Sequence, residues 1–472
     1  MDRREIVLGG GALALLGQRA LAAPNTATLE KAQLNPVLAN IDRPVFTAVC
    51  RTRPNINSLT AAQLTALRHG IEVMQSRPVS DPTSWLYQAG IHGSNLSPQR
   101  PQWGTCQHGT LHFLSWHRLY LYYFERILRA ASGSSALVLP FWNWTADRAL
   151  PAPFRTPTSG NALFVTQRAS GINGGALIPT SAVSTTSCLS ESSYNGFTGS
   201  IEGSPHGAVH VSVGGWMSTF NTAGQDPIFW LHHCNIDRLW DVWDAGAGHT
   251  NPSNAAWLNQ EFTFFDETGA ARTVKMSRAL GGCKSLGYSY QRRKLFLDAT
   301  ILASQISPVL AQSIRPRNVA ETAPSLALGG RPAEATVKLP VTAAGAVAKK
   351  TYLAFDDIDV ANPDGFYEIY LNPPPGKPPV FTDPSYAGNL VLFGLTKADQ
   401  ASMNHAGAMG DMAPRRVFDI TRKVAQLAKA PGFDAQNLRV VLVLRTPEGG
   451  GAAKPAVDAP RARVGKIRVF TQ

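Results

Sequence analysis

The sequence predicts a mainly α-helical domain around a central helix bundle, followed by a small all-β, sandwich-like C-terminal domain. Three observations carry this. Apolar residues recur at helical spacing in long runs before residue 250. Residues 304–340 hold Pro308, Pro316, Pro324, Pro332 and Pro340 with little periodicity, which is linker composition. After them come short β-type runs separated by turn residues: TYLAFDDIDV, GFYEIYL, NLVLFGL, LRVVLVLR and GKIRVF. At 44% hydrophobic and 16% charged, the 472-residue chain is a folded globular protein too long for one core.

Each element has its own signal. Residues 1–22, MDRREIVLGGGALALLGQRALA, carry Arg3 and Arg4, an apolar run from Ile6 to Leu16 and the small-x-small end Ala20-Leu21-Ala22. They predict an export signal of twin-arginine type, and hence a periplasmic or secreted protein. No other run approaches the ~20 apolar residues of a spanning helix, so no integral membrane segment is expected. Residues 57–77 form a first helix after a Ser/Thr-rich start, and 113–131 (FLSWHRLYLYYFERILRAA) a second. Residues 226–243 form a third, with Asp226 at the cap and Pro227 in the first turn. Residues 150–200 are rich in Pro, Gly, Ser and Thr and predict long loops. The helical domain is therefore set at 23–303, the linker at 304–340 and the β domain at 341–472. The formal charge is +12, but the basic residues are spread along the chain, which argues against a nucleic-acid partner.

The histidines are not spread. His92, His108, His112 and His117 surround the second helix, His206 and His210 lie in IEGSPHGAVH, and His232 and His233 stand side by side in DPIFWLHHCNIDRLW. His206 and His210, four apart, share one helix face and suit one metal. His232 and His233 lie about 100° apart around a helix, so they cannot serve one metal equally. Asp237 follows His233 by one turn, where a carboxylate can orient a ligand imidazole. This favours His233 as ligand, His232 as a neighbouring or substrate-facing residue and Asp237 as the support of His233. Around the second helix, His108 must precede the helix if it shares a metal with His117, and spacing does not choose between His108 and His112.

HGTLHFLSWHRLYLYYFERIL resembles the first-copper signature of the tyrosinase and polyphenol oxidase (catechol oxidase) family, and DPIFWLHHCNIDRLW its second. The resemblance implies two copper ions, one held by His92, His108 and His117 and one by His206, His210 and His233. His112 has no ligand counterpart. RTRPNINSLTAAQLTALRHGIEVM, LGYSYQ at 286–291, FDITRKV and LRVVLVLR are similar to the family's opening helix, closing Tyr-x-Tyr element and C-terminal shielding domain. Six imidazoles without carboxylate or thiolate ligands suit copper, whereas a hydrolytic zinc site usually has three protein ligands and a water. The implied activity is oxidation of o-diphenols to o-quinones by dioxygen, with monophenol hydroxylation as a further possibility and a hemocyanin-like oxygen carrier as the alternative.

Other residues follow from the same resemblance. Cys106, two before His108, matches the fungal members in which a thioether joins the cysteine sulfur to the histidine ring. Glu202 matches a glutamate that holds a water and helps deprotonate phenols. Gly207 stands where its Asn partner is expected, which disfavours monophenol hydroxylation. Val211 and Phe220 match the entrance and the bulky gate. Independently of that resemblance, Met403, His405, Met409 and Met412 offer soft ligands suited to Cu(I), and their loop is expected to aid copper loading or to sit near the mouth of the site.

Overall fold

The computed structural model describes residues 50–291, 307–309, 319, 325–340, 350–403 and 414–471, except 455 and 458. The expected export signal and most of the expected Met-rich loop lie outside them. Among the described residues no helix is long and apolar enough to cross a membrane.

The first helix, Ala61–Ser76, begins at a capping box: Thr60 Oγ1 accepts from the Gln63 amide, and Gln63 Oε1 accepts from the Thr60 amide at 2.9 Å. It crosses the second long helix, Phe113–Ala131, at Gly70. A Cβ there would lie 2.9 Å from a Leu128 methyl, so a side chain would force the helices apart. Phe113–Ala131 has the predicted bounds and is buried on nearly all sides. Its partner, Ile228–Asp244, starts two residues later than Asp226 because Asp226 turns its carboxylate to the Ile228 amide and to Arg168, with both side chains fully buried. The stretch 150–200 is not plain loop. It holds the short turns Ala152–Arg155, Thr180–Val183 and Thr186–Leu189 and the helix Tyr194–Ile201.

The two central helices are tied by charge. Arg118 Nε donates to Asp237 Oδ1, and the Tyr288 and Tyr290 hydroxyls each donate to Asp237 Oδ2 at 2.6 Å. Arg53 lies 3.5 Å from the same carboxylate and donates to Glu125 at 2.7 Å. Its strand, Arg51–Arg53, pairs in parallel with Tyr288–Tyr290 and so closes the helical domain. Burial works against the charge on Asp237, but Arg118, Arg53 and the two tyrosines hold its carboxyl below the usual range.

The C-terminal domain is a β-sandwich, as expected. One sheet has the order Tyr386–Val391, Phe366–Leu371, Leu438–Arg445, Ala333–Val337. The other runs Ser307–Val309, Arg416–Asp419, Thr351–Val360, Ala462–Thr471, Leu326–Leu328, and all described pairs in both sheets are antiparallel. Leu353, Phe355, Ile369, Leu390, Leu442 and Ile467 fill the space between them. The linker assignment therefore needs correction: 307–309, 326–328 and 333–337 are strands of the sandwich. Pro308 lies in an outermost strand and Pro332 just before another, positions where proline is tolerated.

This sandwich is seated on the helical domain. Leu177 and Glu448 exchange backbone hydrogen bonds of 2.8 and 3.1 Å. A Cβ on Gly174 would lie 1.9 Å from the Gly450 carbonyl oxygen, so two glycine-rich turns interlock through bare backbone. Gly365 N–H donates to the Val211 carbonyl, and Asn389 donates to the Ser181 carbonyl and Ser204 Oγ.

Asp237→Ala would leave Arg118 and Arg53 buried without this partner. Loss of about 3–5 kcal/mol of stability is expected, read as a lower denaturant midpoint of the copper-free protein. An unchanged midpoint would refute the role given to this network.

Candidate metal centre

Five helical elements and one loop deliver the histidines. His92 ends the helix Trp85–His92, and Gly93 follows because a Cβ there would lie 2.6 Å from the Phe220 carbonyl oxygen. His108 sits on the loop before Phe113–Ala131, which carries His117. His206 lies in the π-type turn Glu202–Gly207 and His210 in the helix Ala208–Val213, one turn on. His232 and His233 lie in Ile228–Asp244.

Two groups result: His92, His108 and His117, and His206, His210, His232 and His233, each with its ligand atoms within 4.8 Å of one another. His112 joins neither. It precedes the helix, and its ring stacks on Trp257 at 5.4 Å. That resolves the alternative the spacing left open. The groups face each other, with His117 and His233 stacked at 4.5 Å.

Backbone carbonyls fix the rings. His92 Nδ1 meets the Phe220 carbonyl at 3.0 Å, His117 the Phe113 carbonyl at 2.7 Å, His206 the Glu202 carbonyl at 2.9 Å and His210 the Met217 carbonyl at 2.7 Å. A carbonyl can only accept, so each Nδ1 carries the proton and each Nε2 keeps its lone pair. Burial pushes His92 down to about 4 and His206 to about 3, against the pull of their carbonyls, so both are neutral at pH 7. The Nε2 atoms of His117 and His206 have no hydrogen-bond partner. Nε2 of His92 and of His108 lie 3.2 Å apart, as do those of His210 and His233. Crowded lone pairs in a buried site are the donor set a soft or borderline cation satisfies, and the absence of carboxylate or thiolate from both groups suits copper.

Asp237 does not support His233. Its two oxygens are taken by Arg118, Tyr288 and Tyr290, and His233 Nδ1 has no hydrogen-bond partner. One-turn spacing placed the two residues on one face, but a buried carboxylate goes to the nearest cations, and Arg118 stands on the adjoining helix. His232 also has both ring nitrogens unpartnered, and its ring lies 5.5 Å from His206 and 6.1 Å from Trp144.

The remaining predicted residues gather here. Glu202 Oε1 accepts from the Gly109 amide at 2.6 Å and faces His108 Nδ1 at 3.3 Å, while Oε2 has no partner. Burial raises Glu202 to about 7, with the Gly109 amide and Arg416 pulling the other way. Phe220 stacks on His108 at 4.4 Å. Cys106 is buried with a free thiol. Gly207 and Val211 face the sandwich: a Cβ on Gly207 would lie 3.0 Å from a Val391 methyl.

Sequence reasoning expected a shielding domain but not the residue that covers the site. Phe393, two residues past its strand, stacks on His210 at 4.1 Å and meets Phe220 edge-on at 4.7 Å. Arg416 holds the Phe393 carbonyl at 2.7 Å. Asp399 accepts from the Phe220 amide at 2.7 Å. The one signal was Gly394, at φ 75°, where a Cβ would lie 2.2 Å from the Phe220 ring.

Comparison with known proteins agrees with this geometry. The family model for the common central domain of tyrosinase matches residues 82–181 and 165–246, and that for the polyphenol oxidase middle domain matches 251–296. A domain of unknown function matches 316–472. Tyrosinase HcTyr1 of Hahella sp. (strain CCB-MM4) is 29% identical, over 83% of this chain and 95% of that one. The latent chloroplastic polyphenol oxidase of Prunus armeniaca is 26% identical, and the chain spans 60% of its length. Among solved structures, latent apple tyrosinase superposes with a TM-score of 0.61 at 22% identity, covering 90% of this chain and 98% of that one. A functional unit of octopus hemocyanin gives 0.50 at 19%, covering 89% and 99%. With two buried histidine groups that fit two copper ions, the chain carries the common central domain of tyrosinase and the polyphenol oxidase middle domain of the type-3 dicopper proteins, and it is an oxidoreductase.

Proposed function

We propose that the protein oxidises o-diphenols to o-quinones with dioxygen, and that it is latent while its C-terminal domain is seated. The observation that carries this reading is the pair of facing neutral histidine groups under an aromatic cover. His92, His108 and His117 are assigned to one copper and His206, His210 and His233 to the other. The copper pair supplies the two-electron oxidation, with dioxygen as the acceptor. The chain supplies a water-poor pocket, because Phe113, Phe220 and Phe229 wall the rings and are buried. Phe393 lies flat on His210, where a planar phenol would otherwise stack, so a substrate enters only when Phe393 leaves. Glu202 Oε2, unpartnered and held near neutral pKa, is the acceptor for a phenolic proton. Gly207 offers no side-chain amide to order a water beside it, which favours diphenols over monophenols. Export through the N-terminal signal remains part of this reading.

Phe393→Ala tests it. Burial of a Phe side chain is worth about 1.5–3 kcal/mol, so uncovering should raise catechol oxidation by roughly ten- to a hundredfold. Oxygen uptake on the copper-loaded variant should be faster with a catechol than with the matching monophenol. Copper uptake and reversible oxygen binding without catechol turnover would support the oxygen-carrier alternative.

His233→Ala should bind one copper and His232→Ala two, because the rings of His210 and His233 bring Nε2 atoms to 3.2 Å while neither ring nitrogen of His232 meets a neighbouring polar atom within hydrogen-bond reach. Metal analysis decides this, and equal loss in both variants would reject the assignment.

A Cys106–His108 thioether is expected in the mature copper-loaded protein. Its formation removes the thiol hydrogen and one ring-carbon hydrogen, with dioxygen as the two-electron oxidant. Intact mass should be two hydrogens low and insensitive to reductant; a reductant-reversible change would count against it.

A further inference from the structure

Glu202 touches both histidine groups through different atoms. Its side-chain Oε1 faces His108 Nδ1 at 3.3 Å, and its main-chain carbonyl faces His206 Nδ1 at 2.9 Å. The other three hydrogen-bonded imidazoles, those of His92, His117 and His210, lean on backbone carbonyls, so His108 is the one ring oriented by a side chain. The local chain explains this arrangement. Gly109 takes a left-handed φ of 67°, and its amide donates at 2.6 Å to the same Oε1 that His108 Nδ1 faces. On the side of the second histidine group, Glu202 opens the π-type turn whose residue Ser204 is extended (φ −150°, ψ 127°), and the turn returns His206 over the Glu202 carbonyl. The side chains of Glu202 and His108 are only 14% and 4% exposed, so water competes weakly for either partner.

We propose that Glu202 is a positioning residue that registers the two copper sites against each other, orienting His108 with its carboxylate and His206 with its carbonyl. This rests on the dicopper reading above and adds to it. Carboxylate support of a ligand imidazole fixes the tautomer and ring plane, and its loss costs roughly ten- to a hundredfold in metal affinity. The two oxygens then have separate tasks: Oε1 holds His108, and Oε2 stays free for substrate. Only the carboxylate half can be removed by substitution, which gives an asymmetric expectation. Loss of the side chain should weaken the first site and leave the second intact, because the Glu202 carbonyl survives.

The test uses single-site proteins. His210→Ala should leave the first site alone, and His117→Ala the second. Copper affinity is measured on each by competition with a chelator. Adding Glu202→Ala should weaken copper roughly ten- to a hundredfold in the first background and leave it unchanged in the second. Glu202→Gln keeps an acceptor oxygen of the same reach for His108 Nδ1 and the Gly109 amide, so it should restore first-site affinity to within about threefold of the Glu202 protein. Unchanged affinity of the first-site protein with alanine would overturn the proposal. So would equal loss in both backgrounds, which signals general damage, or failure of glutamine to rescue. If neither Glu202-intact single-site protein binds copper, it is the dicopper reading that fails.

Discussion

Lone pairs of neighbouring imidazoles repel, and this molecule brings several of them into one dry space. That crowding is the constraint on which the rest of the structure depends. It holds only if every ring is neutral and cannot rotate its proton inward. Burial secures the first condition and drives the imidazole pKa values down. Backbone carbonyls at Phe113, Glu202, Met217 and Phe220 secure the second for His117, His206, His210 and His92. A carbonyl is a better clamp than a side chain here, because it has no rotamers to lose. The donor set is therefore shaped before any ion arrives, and the cation relieves repulsion that folding has built in.

Such a set needs a frame that does not yield. The frame is two nearly all-buried helices joined by the Arg118–Asp237 pair, one residue beyond His117 and one turn beyond His233. A buried ion pair is weak evidence for net stability. Its effect here is geometric: it ties the helix of one histidine group to the helix of the other, and Tyr288 and Tyr290 tie both to the closing strand.

The fold and the ligand candidates were largely legible in the sequence, because they rest on local patterns. The apolar run Phe113–Ala131 gave its helix without error, and the spacing of His206 and His210 placed them one above the other. What failed was decided by partners far along the chain. Asp237 sits on the same face as His233, yet sequence spacing cannot see that Arg118, 119 residues away, claims its carboxylate. Strands at 326–328 and 333–337 read as linker because edge and turn prolines hide a short alternation. Phe393 looked like one more apolar residue at the end of a strand. Only the seating of the sandwich on the helical domain turns its ring toward His210. Glu202 was found by resemblance, but its two contacts depend on the left-handed turn at Gly109 and on the irregular turn after Ile201.

The cover and the ligands are not independent parts. Phe220 joins them through three groups at once. Its carbonyl holds His92, its ring stacks on His108 and its amide is held by Asp399 of the C-terminal domain. Gly394 is bare because the Phe220 ring occupies the space of its Cβ. A shift of the segment from Phe393 to Asp399 therefore cannot free the face over His210 without also releasing one backbone anchor of Phe220. The proposed latency and the ligand orientation meet in that residue. The covered state gives the Phe220 loop an additional hydrogen bond, while the uncovered state relies on the His92 contact and on ring packing to hold the same geometry. In this arrangement the C-terminal domain acts on the metal centre through the backbone of one loop as well as by filling its mouth.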